Sequence, residues 1–464
     1  MKWPFNRFLL WPYFTLVLVL LTIGCSSKED PEETLSVSGN HSTGDLVMVT
    51  TDTSSDGYHY LDPELSPDRT RVMFTADWYA LPSIPRYTGD DDFTKFRQII
   101  VMPMQVGLEP ALSLEAQGAQ LVVLQETAIR IGGATVFLST VKDDDKGHPL
   151  WVDDQTIIFW LNLGIGKRLF QADISDIGSL SPIVPVYFED SDNSSAPPFR
   201  QHMEAALSPQ GDWLLFTRSG CVNPREFETC TGVSIYALDM STLGGPTGDG
   251  YGALAFPITN EYSRIEAPSW SPDGRSITFS GGLDVGGSGT GAGTEIFTMD
   301  FDTTGLDAGT MPLDRNVERV TFTELAAGDP ISGVFNTHPR FNEDGNQIYF
   351  TSTRRAPTTT LHDRNIWVVP ADGSIDPEIF YFTRSDDVDP YYMGDGRILL
   401  SSMLGFPSEM LIRLEEETYQ RIFQENVDQN LGLDEVQMRA LAAEEIRNLT
   451  FFEGVMSHIY TFRP

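Results

Sequence analysis

Six side chains recur at one point of a repeating pattern: Asp62, His148, Glu204, Ala267, His338 and Asp389 each stand immediately before the same short string. Three carboxylates and two imidazoles are the donors that a divalent cation, or a cationic group on a ligand, requires. A competing reading is architectural. Residues before a proline are extended, polar side chains suit the mouth of a water-filled channel, and a wide ring would hold these groups too far apart for one ion. Other chemical signatures are scarce. There is no P-loop and no His-Glu-x-x-His, and Gly286-Gly-Ser-Gly-Thr290 puts Thr290 where a nucleophile elbow needs its second glycine, so it reads as a loop. Asp143, Asp144 and Asp145 form a charge run of the kind that is usually solvated. The Asp-x-Asp-x-Asp-Gly spacing of a calcium loop is not found.

The strings behind these six residues set the fold. The clearest is Pro268-Ser-Trp-Ser-Pro-Asp-Gly-Arg-Ser-Ile-Thr-Phe279. Pro272 presets φ, Asp273 bonds back to the turn and Gly274 tolerates positive φ, after which Ile277 and Phe279 alternate as in a strand. Weaker copies start at Pro63, Pro149, Ala205, Pro339 and Pro390. The spacing leaves room for about four strands per copy, and further alternating runs such as Val233–Leu238, Glu295–Met299 and Asn365–Val369 follow most of them. Fourth strands are expected at Val317–Phe322 and Glu378–Phe382. Four antiparallel strands repeated radially make a propeller blade, so the chain is expected to be all-β with six blades. A seventh would have to come from Gln120–Leu124 and Thr135–Leu138, in the long first interval. In a propeller the first strand of each blade lies nearest the axis. The six pre-motif residues would then ring the channel, with His338, Asp389 and Asp62 on adjoining blades five, six and one, and His148 and Glu204 on blades two and three.

The Pro-x-Trp-Ser-Pro-Asp-Gly string resembles the WD40-like repeats of the TolB propeller family, and the resemblance covers roughly residues 45–414. Two departures affect what it implies. About twenty residues separate Cys25 from the first expected strand, Leu46–Val49, so the α/β domain that precedes the TolB propeller has no counterpart. After the last blade, residues 415–464 open with a segment whose Val436, Leu441 and Ile446 read as helix, and close with His458–Phe462, which alternates like a strand and could complete a blade. Similar propellers occur in serine peptidases of the prolyl oligopeptidase type, but about fifty residues after the propeller leave no room for their hydrolase domain. Others resemble oligogalacturonate lyases, whose histidine pattern is not matched here residue by residue.

The first residues read as an export signal. Lys2 and Arg7 precede an apolar run from Phe8 to Ile23, which ends at Gly24 and Cys25 and is short for a retained transmembrane helix. Leu21-Thr22-Ile23-Gly24-Cys25 resembles the lipobox of bacterial lipoproteins, with Thr22 a less usual residue for its place. Residues 1–24 would be removed, Cys25 lipidated and 25–44 left as a tether, and Ser26 in place of aspartate implies the outer membrane, facing the periplasm or the cell surface. With Cys25 lipidated, Cys221 and Cys230 remain as a pair suited to a disulfide between two strands of blade three. Two cysteines without a nearby histidine fall short of a structural zinc site. The formal net charge of −35 repels phosphate backbones and anionic headgroups, which excludes nucleic acid as a partner and leaves membrane attachment to the lipid at Cys25. No cofactor is identified beyond a divalent cation at the ring. Together these features point to a binding or assembly scaffold for an envelope protein or glycan, with a divergent carbohydrate-active enzyme as the alternative.

Overall fold

The computed structural model describes residues 45–50, 60–77, 97–104, 116–122, 127–131, 134–138, 146–162, 166–177, 183–188, 199–221, 230–245, 250, 252–285, 293–306, 309–323, 333–354, 364–381, 387–394, 396–402, 419–424, 426–427, 433–442 and 458–463. Strand β1 (Asp45–Met48) comes first. Blade one follows as β2 (Tyr60–Leu65), β3 (Arg71–Asp77), β4 (Arg97–Pro103) and β5 (Gln120–Leu121). A hairpin of β6 (Thr127–Ile131) and β7 (Ala134–Leu138) stands between blades one and two. Blade two is β8 (Lys146–Asp153), β9 (Thr156–Asn162), β10 (Lys167–Asp173) and β11 (Ile183–Pro185). Blade three is β12 (Phe199–Leu207), β13 (Trp213–Cys221), β14 (Cys230–Asp239) and β15 (Ala255–Pro257). Blade four is β16 (Ile265–Trp270), β17 (Ser276–Gly282), β18 (Thr294–Asp300) and β19 (Glu318–Arg319). Blade five is β20 (Asn336–Phe341), β21 (Gln347–Ser352), β22 (Asn365–Pro370) and β23 (Glu378–Tyr381). Blade six begins with β24 (Asp387–Tyr392) and β25 (Ile398–Ser402), then takes β26 (His458–Arg463) and finally β1 as its outer strand.

The two chain ends therefore close the ring. Asp45–Met48 pairs antiparallel with Tyr460–Arg463, a contact that a free edge strand would otherwise leave open to aggregation. Each of six sheets has four strands, and the residues that could have made a seventh are divided between β5, at the rim of blade one, and the two-stranded hairpin. The blade number is six. Between β25 and β26 the chain is helical over 419–424, 426–427 and 435–442. Tyr419, Ile422, Met438 and Ala442 are the buried positions there. Val436 and Leu441, the apolar residues that suggest a helix in the sequence, instead face solvent at 59% and 42% exposure. Ile446 and residues 1–44, with Cys25, lie outside the described residues.

Apolar layers lie between neighbouring blades. Met73, Ile99 and Val101 of blade one pack with Trp151, Ile157 and Phe159 of blade two, while Tyr60, Val72 and Phe74 pack with Leu399 and Ile459 of blade six. The alternating second strands supply large anchors: Phe74, Phe159, Phe216, Phe279 and Phe350 are all fully buried. Each such burial contributes about 1.5–3 kcal/mol. The repeat's tryptophans fasten one blade to the one before it. Trp270 Nε1 donates to the Ala206 carbonyl at 3.0 Å, and Trp151 Nε1 to the Glu64 carbonyl at 3.4 Å.

The turn after each first strand follows the sequence chemistry. Ser271 Oγ donates to Asp273 at 2.6 Å and accepts from the Ser276 amide at 2.9 Å, while Gly274 sits at φ +69°. Ser66 and Asp68 repeat the arrangement, and their hydrogen bonds lower the Asp68 carboxyl to about 2. In blade one the glycine's place is taken by Arg69, at φ 61°.

Candidate channel site

Every first strand carries the same defect. In blade one Leu61 pairs with Thr75 and Glu64 with Met73, so Asp62 and Pro63 together face a single partner position. The register slips in the same way at Gly147/Leu150, Met203/Ala206, Glu266/Ser269, Thr337/Arg340 and Val388/Tyr391. One extra residue in one strand is a β-bulge, which re-aims a side chain. The bulged residue is the pre-motif residue in all six blades, and its backbone is left-handed: φ is 54° at Asp62, 43° at His148, 52° at Glu204, 47° at Ala267, 52° at His338 and 56° at Asp389. The sequence-based expectation that residues before proline are extended is thus corrected. Tight bulge geometry overrides the pre-proline preference, at a cost of about 1–2 kcal/mol for each non-glycine residue.

Hydroxyls from the second strand brace these bulges. Within their own blades, Thr75 Oγ1 lies 3.2 Å from both the Leu61 carbonyl and Asp62 Oδ2 and Thr217 Oγ1 donates to the Met203 carbonyl at 3.2 Å, whereas Thr351 Oγ1 of blade five accepts from the Asp389 amide of blade six at 3.3 Å. Blade two differs, having Trp160 at this place, with its ring 6.4 Å from that of His148. Gly147 makes this fit, since a Cβ there would stand 2.2 Å from Trp160 Cζ2.

All six bulged residues line one cavity of about 510 Å³ on the channel. His148 and His338, from opposite blades two and five, stack across it with ring centroids 6.0 Å apart and planes 8° from parallel. His148 Nδ1 is 3.3 Å from Asp62 Oδ1, and His338 Nδ1 is 3.5 Å from Asp389 Oδ1. Asp389 Oδ2 accepts from the Asp62 amide at 3.3 Å, which ties blade six to blade one. One donor atom each from Asp62, His148 and His338 lies within 4.8 Å of the others. Ligand atoms around a tetrahedral zinc are about 3.4 Å apart. The widest pair would therefore draw in by at most about 1.4 Å. Two imidazoles and a carboxylate leave the remaining coordination positions open to water or ligand.

The trio differs from adjacency around the ring, which would group His338, Asp389 and Asp62. The channel is narrow enough for His148 to reach across from the facing blade, leaving Asp389 as a neighbour of His338. Glu204 stands apart, its Oε2 accepting from the Ala267 amide of the next blade at 2.7 Å. Burial, and after it the nearby Glu266 carboxylate, pushes Glu204 up to about 8. Burial likewise raises Glu64 to about 8 and lowers His338 from the usual imidazole range. For His338 the direction favours the neutral imidazole, the form that binds a metal. The sequence reading missed Glu64, Arg340 and Tyr391, which also line the cavity. The signal was present, because each lies one residue beyond the motif's first position.

Fold and site together define a six-bladed β-propeller with an imidazole- and carboxylate-lined channel. No protein-family model and no curated protein sequence matches the chain. Among solved structures it is similar to TolB from Acinetobacter baumannii, at 16% identity over 75% of this chain and 61% of that one, with a TM-score of 0.38. A puromycin-hydrolyzing peptidase from Mycobacterium tuberculosis is similar at 14% identity over 76% of this chain and 46% of that one, TM-score 0.42. An oligogalacturonate lyase from Vibrio parahaemolyticus is similar at 14% identity over 77% and 79%, TM-score 0.39. The blade number and the closure rest on the strand pairing itself, and none of these likenesses bears on activity.

Proposed function

We propose that the chain is a binding scaffold of the cell envelope, lipid-anchored at Cys25 in the outer membrane, whose channel holds a divalent cation and presents it to a protein or glycan partner. The convergence of Asp62, His148 and His338 within 4.8 Å carries the reading for the cation. The lipobox-like Leu21–Cys25 supports the anchor, and the net charge of −35 disfavours phosphate-rich partners. Among the described residues no helix is long and apolar enough to cross a membrane. Cys221 and Cys230 are register partners on β13 and β14, which supports a disulfide closing the loop between them. Two freely alkylated thiols in the exported protein would rule that bond out.

Thermal melts of chelator-stripped protein test the cation. Zinc or manganese should raise the melting temperature of the wild type and leave His338→Ala unmoved, whereas an equal rise in both would reject the site. A carbohydrate-active enzyme is the second reading, favoured by the cavity of about 510 Å³ that includes the donor trio. Turnover of an acidic or neutral oligosaccharide that disappears in His148→Ala would establish it over the scaffold.

A further inference from the structure

One residue past the motif's first position, a second ring lines the cavity: Glu64, Leu150, Ala206, Ser269, Arg340 and Tyr391. This ring has two unlike sides. Adjoining blades five and six supply a guanidinium and a phenol, whereas adjoining blades two and three supply the apolar Leu150 and Ala206. Arg340 is the only lysine or arginine among the cavity-lining residues, against four carboxyl side chains. Among the described residues its guanidinium forms no ion pair, and its one hydrogen bond goes to the carbonyl of the adjacent Pro339, at 3.3 Å. Glu64 lies close enough to feel the Arg340 charge but makes no ion pair with it, and burial raises that carboxyl to about 8, so most of the guanidinium's donor fork stays available, with a geometry that matches a carboxylate in two parallel hydrogen bonds.

The geometry points to a carboxylate-binding subsite in which Arg340, assisted by the Tyr391 hydroxyl, receives the acid group of a ligand whose apolar body lies against Leu150 and Ala206. The strength of this subsite rests on the cation reading, and its place rests on Arg340. With the metal position empty, Asp62 and Asp389 on the floor oppose an entering anion. Glu64 and Glu204, raised to about 8 by burial, add little charge at neutral pH, so a bound divalent ion offsets the two aspartates and leaves Arg340 as a net attraction for a negative group.

Calorimetric titration of the full chain, with and without zinc, tests the subsite using three probes of equal length: hexanoate, hexanamide and hexylammonium. Zinc-loaded wild type should take hexanoate and ignore the other two. Arg340→Met should weaken hexanoate roughly tenfold or more while still taking one zinc at least as tightly as wild type, and Arg340→Lys, which keeps the charge and loses the fork, should fall between. Zinc binding without any response to hexanoate, or equal hexanoate affinity in wild type and Arg340→Met, overturns the subsite and leaves the cation site standing. Hexanoate binding that depends on Arg340 in a protein that takes no zinc upholds the subsite and rejects the cation. Hexylammonium binding to a protein that takes no zinc rejects both.

Discussion

Blades one, two, five and six share a backbone device with blades three and four, yet the two groups put it to different use. In the first group the bulged positions carry Asp62, His148, His338 and Asp389, which meet across the channel within hydrogen-bonding or ion-pair range. In the second, Ala267 adopts φ 47° with only a methyl group to present, and Glu204 is committed to the Ala267 amide at 2.7 Å. The left-handed bulge is therefore part of how every first strand enters the axis. Strain at a position does not by itself mark a site in this molecule; the side chain placed there does.

The largest expected effect separates the two groups directly. A His148→Ala, His338→Ala double variant should lose all zinc-dependent stabilisation, which for wild type would reach about 2.7 kcal/mol at a hundredfold excess over Kd. Glu204→Ala should retain that increment in the same melts. Retention by the double variant, or loss in Glu204→Ala, would dissolve the distinction.

Next in size is the structural role of Glu204. Replacing it with alanine leaves the Ala267 amide without its 2.7 Å partner and should cost about 1–3 kcal/mol by urea denaturation. Its titration gives a second handle. Burial raises both Glu204 and Glu64 to about 8 from a value of 4.5, so each holds its proton more tightly in the folded chain. Their contribution to stability is complete below about pH 4.5 and is lost as the pH rises through about 8. Glu204→Gln should flatten part of that decline, and an unchanged slope would show that Glu204 ionises normally.

Smaller effects concern features common to both groups. Trp270→Phe keeps the aromatic packing and removes the 3.0 Å hydrogen bond to Ala206, for an expected loss of about 0.5–1.5 kcal/mol. Ala267→Gly relieves a left-handed alanine, and since glycine also loosens the unfolded chain, the net change should be a gain of no more than about 1 kcal/mol. A clear loss at this position would mean that the Ala267 methyl does something more than occupy the bulge.

Much of this was legible in the sequence, because repetition makes equivalent positions visible. Aligning the strings placed Asp62, His148, Glu204, His338 and Asp389 on one ring, and the Ser-Pro-Asp-Gly chemistry at Ser271–Gly274 formed as its residue types require. The closing strand at His458–Phe462 also declared itself by alternation. Three things stayed hidden. Pro63, Pro149 and Pro390 argue locally for extended residues before them, and only the cross-strand register reveals the bulge. The meeting of His148 with His338 depends on the channel's width, which no spacing along the chain encodes. In the helical insertion, burial of Tyr419, Ile422, Met438 and Ala442 rather than Val436 and Leu441 is set by how two short helical segments face each other.

Titrating zinc into the chelator-stripped full chain by calorimetry, in wild type, Glu204→Ala and the His148→Ala, His338→Ala double variant, is the most direct test of the channel floor. One ion per chain in the first two and none in the third is the expected result. A wild type that takes no zinc, or a double variant that still takes one ion with unchanged affinity, would contradict a metal site at Asp62, His148 and His338.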